Sequence, residues 1–350
     1  MAAPLTLSDV EQRAAERIEP AWHDYFAGGA GRERTLRENE EAWTRYRPRQ
    51  RVLAGIERVD LRTTVVGLDL ATPLLVAPAA YQRKADPGGE VSMARACAAA
   101  GAGLCLSTFS HAAPFEIAEA APDLPRLWQV YVFRDRGITD ELIARALDAG
   151  FAAVVLTVDL PVLGSRDRER RHSWHLPADE LPAMRLARER GLGGDDLEVI
   201  DPTVDLAYLE RLSTTLPVPV VVKGVLEPED ALRVAEHGAR GIVVSNHGGR
   251  QLDGVVPTAE ALPGIVDAVG DRLDVLVDSG IRRGVDVAVA LALGARAVLA
   301  GRLPLWGLAA GGEEGARTVL ELLRDETATA LHLMGVAAAS AVPRDAVRRE

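Results

Sequence analysis

Ile242-Val243-Val244-Ser245-Asn246-His247-Gly248-Gly249-Arg250-Gln251-Leu252-Asp253 is the stretch on which the fold turns. An apolar run without alternation ends in a polar turn, as a strand buried on both faces does where it leaves a sheet. The turn sets an imidazole, two glycines and a guanidinium within four residues. A histidine exchanges protons near neutral pH, and an arginine close by can clamp a carboxylate with two parallel hydrogen bonds. A plain Gly-Gly turn would account for the same residues with no chemistry, so the rest of the chain has to decide.

Short apolar runs of the same kind recur at 74–80, 104–108, 127–132, 153–159, 218–224, 241–247, 274–280 and 297–302, which makes eight. Helical patterns punctuated by Gly or Pro lie between most of them, at 90–100, 114–120, 139–149, 205–216, 228–237, 258–269 and 284–293, with a last one at 313–333. Eight such units over this length predict an α/β fold, a TIM (β/α)8 barrel, rather than an open doubly wound sheet. Residues 1–60 precede the rhythm and read as an N-terminal helical segment, broken at Pro20 and at Ala27-Gly28-Gly29-Ala30-Gly31, and 61–350 as the barrel. Residues 63–70 predict a β-hairpin turning at Gly67. The connection after Asp159 is long, about 45 residues, and rich in Arg, Glu and Gly, which suits a lid or an unstructured segment. Within it His172 and His175 bracket Trp174.

Composition narrows the function. The net charge of −11 argues against a general nucleic-acid binder. No run of about 18 residues is apolar throughout, so no membrane span is expected, and the start lacks the pattern of a signal peptide. Cys97 and Cys105 sit in apolar segments and read as buried thiols in a reducing cytoplasm. With so few ligand-type residues at suitable spacing, no metal site is expected.

In a barrel of this kind the C-terminal strand ends face the site. Seven of the eight runs end in groups that hydrogen bond or carry charge: Ser107, Gln129 and Tyr131, Thr157 and Asp159, Lys223, Ser245 to Arg250, Asp278 to Arg282, and Gly301-Arg302. Glycines with Arg282 and Arg302 at the last two make a phosphate site. Lys223 is one of only two lysines, the other being Lys84, and its placement at a strand end points to a need for a compact cation there. Ser107, Gln129, Thr157 and Lys223 would face something planar and polar. A flavin mononucleotide is the simplest cofactor that meets both demands, whereas a GxGxxG after a first strand, the mark of a dinucleotide site, is missing.

These residues resemble the FMN-dependent L-2-hydroxy acid oxidases and dehydrogenases, the group of glycolate oxidase, lactate oxidase and mandelate dehydrogenase. The resemblance covers nearly the whole chain and rests on Asp24-Tyr25-Phe26-Ala27-Gly28-Gly29-Ala30, Gln129-Val130-Tyr131, Leu156-Thr157-Val158-Asp159, Val222-Lys223-Gly224, the run Ser245 to Asp253, Asp278-Ser279-Gly280-Ile281-Arg282-Arg283-Gly284 and Ala292-Leu293-Gly294-Ala295. Region 27–40 looks most like the actinobacterial 4-hydroxymandelate oxidases.

The resemblance implies roles. His247 is the base, and Asp159 stabilises the imidazolium formed on it and raises its basicity. Arg166 and Arg250 hold the substrate carboxylate, Tyr25 and Tyr131 hydrogen bond the substrate, and Phe109, where glycolate oxidase has tryptophan, helps set its size. Pro78, Ala79, Ala80, Ser107, Gln129, Thr157 and Ser245 line the flavin ring, with Lys223 beside its N1 and O2. Asp278, Ser279, Gly280, Ile281 and Arg282, with Gly301 and Arg302, hold ribityl and phosphate. Ala79 and Ser279 depart from the usual threonine and glycine. Ala80 matches the oxidases rather than the mandelate dehydrogenases, which favours oxygen as acceptor. Phe109, Tyr81 and the long loop are expected to decide which acid is taken.

The expected activity is therefore oxidation of an L-2-hydroxy acid, aromatic or bulky, to the 2-keto acid, with O2 giving H2O2. The resemblance also implies a homo-oligomer, a tetramer. Alternatives are a 2-hydroxy acid dehydrogenase with another acceptor, an FMN isomerase resembling type 2 isopentenyl diphosphate isomerase, and a phosphate-binding barrel without catalysis.

Overall fold

The computed structural model describes residues 5–172, 177, 180–192 and 198–350. Trp174 and His175 lie outside them.

Strand β1 is Tyr46–Pro48, and β2 (Thr63–Val65) and β3 (Leu68–Leu70) form the expected hairpin, turning through left-handed backbone at Val66 and Gly67. The eight apolar runs become β4 (Leu74–Val76), β5 (Gly103–Leu106), β6 (Arg126–Val130), β7 (Val154–Thr157), β8 (Val220–Val225), β9 (Gly241–Val244), β10 (Asp274–Val277) and β11 (Ala297–Ala300). They pair in parallel, each with the next and β11 with β4, and close the barrel. Every one is buried along nearly its whole length, which is why the runs lack polar alternation. The runs read from sequence overshoot several strands by a few residues, because apolar and small residues continue into the loops of the mouth. Strand β12 (Val347–Arg349) pairs antiparallel with β1.

The barrel interior holds its own core, where Leu75, Cys105, Leu127, Val155, Val221, Val243, Leu276 and Leu299 meet Val65 and Leu70 of the hairpin. The hairpin thus stoppers the end opposite the strand C-termini. Asp274 fastens it by accepting from the Val66 amide at 2.6 Å.

Three helices precede the barrel: α1 (Val10–Ala15), α2 (Pro20–Ala27) and α3 (Arg34–Thr44). Pro20 opens α2, where its missing N–H costs nothing. Helix α3 lies within the segment expected to be helical, and its buried face of Thr35, Asn39, Ala42 and Trp43 is too polar to show an apolar stripe. The last helix, Arg302–Leu333, starts eleven residues before its expected onset and is interrupted at Gly311 and Gly312. The long connection after Asp159 is not structureless, since it holds the helices Asp167–Arg171 and Pro182–Glu189. Among the described residues no helix is long and apolar enough to cross a membrane.

Candidate functional site

A cavity opens at the C-terminal strand ends beneath α2. It is lined by His247, by all five residues expected against the substrate, and by every residue expected against the cofactor except Gln129 and Ser245, which are buried. Asp159 stands behind His247. Tyr81 does not line the cavity; it is fully buried and packs edge-on against Tyr25, so its bearing on the substrate runs through that ring.

His247 opens a short 3-10 turn, His247–Gly249, just past β9, with φ at 58°. That left-handed conformation is unusual for a residue with a side chain and is over-determined by its surroundings. The His247 amide donates to Ser245 Oγ (3.1 Å), the Gly248 amide to Ser279 Oγ (3.0 Å) and the Gly249 amide to Asn246 Oδ1 (3.2 Å). Asn246 in turn exchanges two amide hydrogen bonds with Asn39 of α3, at 2.8 and 2.7 Å. Asn39 carried no chemistry in the sequence, yet it locks the turn that aims the imidazole.

His247 Nδ1 lies 2.9 Å from Asp159 Oδ1, and its Nε2 lies 3.5 Å from the Tyr131 hydroxyl. With a carboxylate on Nδ1, that nitrogen carries the hydrogen and Nε2 presents the lone pair to the cavity. Burial pushes the imidazole pKa below its ordinary value, and the Asp159 charge opposes this without overcoming it. The expected rise in basicity is thus present as a contribution and outweighed by desolvation. Burial also works against the Asp159 carboxylate, but His247 and Lys223 together hold its pKa below the usual range. Asp159 fits only because residue 224 is glycine. Gly224 sits at φ 111° in a bulge of β8, and a Cβ there would lie 2.6 Å from Asp159 Cβ.

Lys223 is buried and reaches Ser245 Oγ at 3.0 Å and Asp278 Oδ2 at 3.3 Å. Burial works to lower its pKa, but the Asp278 and Asp159 charges keep that pKa above the ordinary value. Gln129 is oriented by its Oε1, which accepts from Ser107 Oγ (3.3 Å) and the Thr108 amide (3.2 Å). Its Nε2, and Thr157 Oγ1, are buried and make no hydrogen bond among the described residues. A structure rarely leaves such groups idle without reason. Past β10, Ser279 and Gly280 are both left-handed, and a Cβ on Gly280 would meet the Asn39 carbonyl oxygen at 2.1 Å.

Two arginines hold the N-terminal segment over the mouth. Arg250 Nη1 donates to the carbonyls of Tyr25 (2.6 Å) and Gly28 (2.9 Å), with its guanidinium 5.0 Å from the centre of the Tyr25 ring. Arg302 donates to the carbonyls of Phe26, Gly248 and Gly28 at 2.9 to 3.0 Å. Burial, and the Arg250 and Arg282 charges beside it, push the Arg302 pKa down. An anion arriving here would relieve that crowding. Arg282 pairs with Glu40 of α3 at 2.6 Å. Arg166, buried, donates to the Arg250 carbonyl (3.3 Å) and to Glu169 (3.2 Å). Phe109 stacks on Tyr131 with ring centres 5.3 Å apart. Phe26, Leu160 and Leu305 also line the cavity and escaped sequence reasoning, since apolar residues beside polar ones carry no signal of their own.

An eight-stranded barrel with a buried lysine, idle amide and hydroxyl groups and a glycine-rich, arginine-rich pair of strand ends defines an FMN-binding oxidoreductase, and the donor set fits that cofactor. The chain belongs to the FMN-dependent dehydrogenase family, whose model matches residues 14–349. It is an enzyme of the 2-hydroxy acid oxidising group. The L-lactate oxidase of Nostoc sp. is 43% identical over 353 residues, covering 96% of this chain and 95% of that protein. The 2-hydroxyacid oxidase 1 of Homo sapiens is 38% identical over 360 residues, covering 99% and 96%. Among solved structures, mandelate oxidase with (S)-2-phenylpropionate superposes with a TM-score of 0.90 at 39% identity, covering 99% of both chains.

Proposed function

We propose that the enzyme oxidises an (S)-2-hydroxy acid with an aromatic or bulky side chain to the 2-keto acid, with His247 as the base and O2, reduced to H2O2, as the final acceptor. The observation that carries this is the His247–Asp159 pair, whose Nε2 faces a cavity edged by Tyr131, Arg166 and Arg250. Arg166 and Arg250 engage the substrate carboxylate and so fix which face of the α-carbon meets the imidazole. His247 Nε2 takes the proton that the substrate gives up, and the Asp159 carboxylate offsets the charge that the ring acquires. Burial raises the Tyr131 pKa, which keeps its hydroxyl a hydrogen-bond donor to the substrate beside the base; Tyr25 serves the substrate from α2.

FMN supplies the electron acceptor for the two electrons that leave the substrate. Gln129, Thr157, Ser107 and Ser245 would serve the ring with Pro78, Ala79 and Ala80 along it, and Lys223 would balance negative charge on its polar edge. Asp278 to Arg282, with Gly301 and Arg302, would hold ribityl and phosphate. The stacked Phe109 and Tyr131, with Leu160, favour an aromatic acid. The similarity to mandelate oxidase supports the same choice. Two free, buried cysteines, Cys97 and Cys105, suit a reducing cytoplasm.

The test is anaerobic mixing of the FMN-loaded protein with a panel of (S)-2-hydroxy acids, followed at the oxidised flavin band near ~450 nm. Mandelate and 4-hydroxymandelate should bleach it faster than glycolate. Fastest bleaching by glycolate would remove the aromatic preference, and no bleaching by any acid would remove the oxidase.

A further inference from the structure

The two arginines that the proposed function assigns to the substrate carboxylate already share a carboxylate. Glu169 Oε1 lies 3.2 Å from Arg166 Nη1 and 3.4 Å from Arg250 Nη2. All three side chains are largely withdrawn from water, at 7%, 13% and 16% exposure for Arg166, Arg250 and Glu169.

Part of each guanidinium is already committed. Arg250 Nη1 is committed to the Tyr25 and Gly28 carbonyls, which leaves Nε and Nη2 as the corner that can turn to a ligand. That corner faces Glu169. Arg166 uses Nε on the Arg250 carbonyl and Nη1 on Glu169. A second carboxylate that bridges the fork of Arg166 Nη1 and Arg250 Nη2 has to share or replace the Glu169 oxygen.

Glu169 is also held in place from behind. It sits on the helix Asp167–Arg171, three residues after Arg166, so both side chains emerge on one face. Arg168 within that helix and His172 just after it tie it to the N-terminal segment, Arg168 to Glu33 at 2.6 Å and His172 to Asp24 of α2 at 2.7 Å. The carboxylate therefore has to yield by turning about its own side-chain bonds or by taking the helix with it.

We propose that Glu169 is a tethered competitor for the substrate's carboxylate: it neutralises the Arg166–Arg250 pair when no acid is bound, and every carboxylate ligand must displace it. The inference rests on the reading of Arg166 and Arg250 as the carboxylate site. It makes Glu169 a determinant of affinity for the acid. It also explains how two buried guanidinium groups so close together are tolerated without a ligand, a burden visible in the lowered pKa of Arg250, which burial and Arg166 depress and Glu169 opposes.

The experiment measures calorimetric binding of benzoate, and of its neutral analogue benzamide, to the FMN-loaded protein. If Glu169 occupies the fork nine-tenths of the time, the apparent affinity for a carboxylate is reduced about tenfold. Glu169→Gln should therefore bind benzoate about tenfold more tightly and benzamide unchanged. Glu169→Ala should shift benzoate the same way. Benzoate binding that is unchanged or weaker in Glu169→Gln overturns the proposal and makes Glu169 a prop for the arginines. Equal tightening of benzamide overturns it too, because a neutral ligand does not compete for charge. Arg166→Met separates the two levels. If it leaves benzoate affinity intact, the carboxylate site itself is misplaced; if it weakens benzoate and abolishes the effect of Glu169→Gln, both levels stand.

Discussion

The two ends of the barrel are closed by the same chain in opposite ways. At the bottom, a hairpin turns Val65 and Leu70 onto an interior of Val, Leu and Cys side chains. At the mouth, α2 and α3 are held by Asn39, Arg250 and Arg302 through polar bonds to backbone and amide groups. The bottom spends its residues on burial and leaves little for a ligand to do. The mouth carries left-handed backbone at His247 and Ser279, idle polar atoms at Gln129 and Thr157, and crowded cations. Stability is concentrated at one end and chemistry at the other, as the barrel architecture allows.

Substitutions should separate the two ends, and the largest effect belongs at the mouth. His247→Asn should leave a folded, yellow protein, because asparagine tolerates the φ of 58°, while flavin reduction by the acid slows about 10³-fold. Retained turnover would take His247 out of the mechanism. Gly224→Ala tests the bulge that makes room for Asp159. Its new Cβ must displace that carboxylate, so the reduction rate should fall about 10²-fold, and a rate near the parent's would show that the Asp159 position is not critical. At the bottom, Leu70→Ala should lower unfolding stability by about 2–5 kcal/mol in denaturant titration, with the rate constant for reduction unchanged below the transition. A loss of rate there would blur the division between the ends.

The smallest effect is one of position along the pH axis. A base works only when neutral, so kcat/KM should be present above the His247 pKa and lost as pH falls through it. Since burial lowers that pKa, the acid limb should lie below the ordinary imidazole value of 6.5. Asp159 pulls the other way, so Asp159→Asn should shift the limb to still lower pH while reducing the plateau. A limb that moves to higher pH would contradict the assigned charge on Asp159.

Much of this is legible in the sequence. Helices Pro114–Ala120 and Thr258–Val269 begin and end where the sequence marks them, because proline, glycine and threonine change the local backbone choice at those points. The eight strands declare themselves by burial on both faces. What stayed hidden depends on partners distant in sequence. Asn39 looks like any polar residue in a charged stretch until Asn246, far along the chain, supplies its mate. Glu169 sits in a run of alternating charges that reads as a solvated surface, and only folding turns it inward onto Arg166 and Arg250. Tyr81 is expected to help decide which acid is taken, but it lies fully buried and packs edge-on against Tyr25.

The arginine staples have a consequence for the order of assembly. Arg302 bonds the carbonyls of Phe26 and Gly28, and β1 pairs with β12, about 300 residues further along. The segment around Phe26 therefore waits for a partner made 276 residues later. Until Arg302 has cleared the ribosome, the end of α2 has the Arg250 staple but lacks the second one. The mouth is thus a late product of folding, built from contacts with long loops to close.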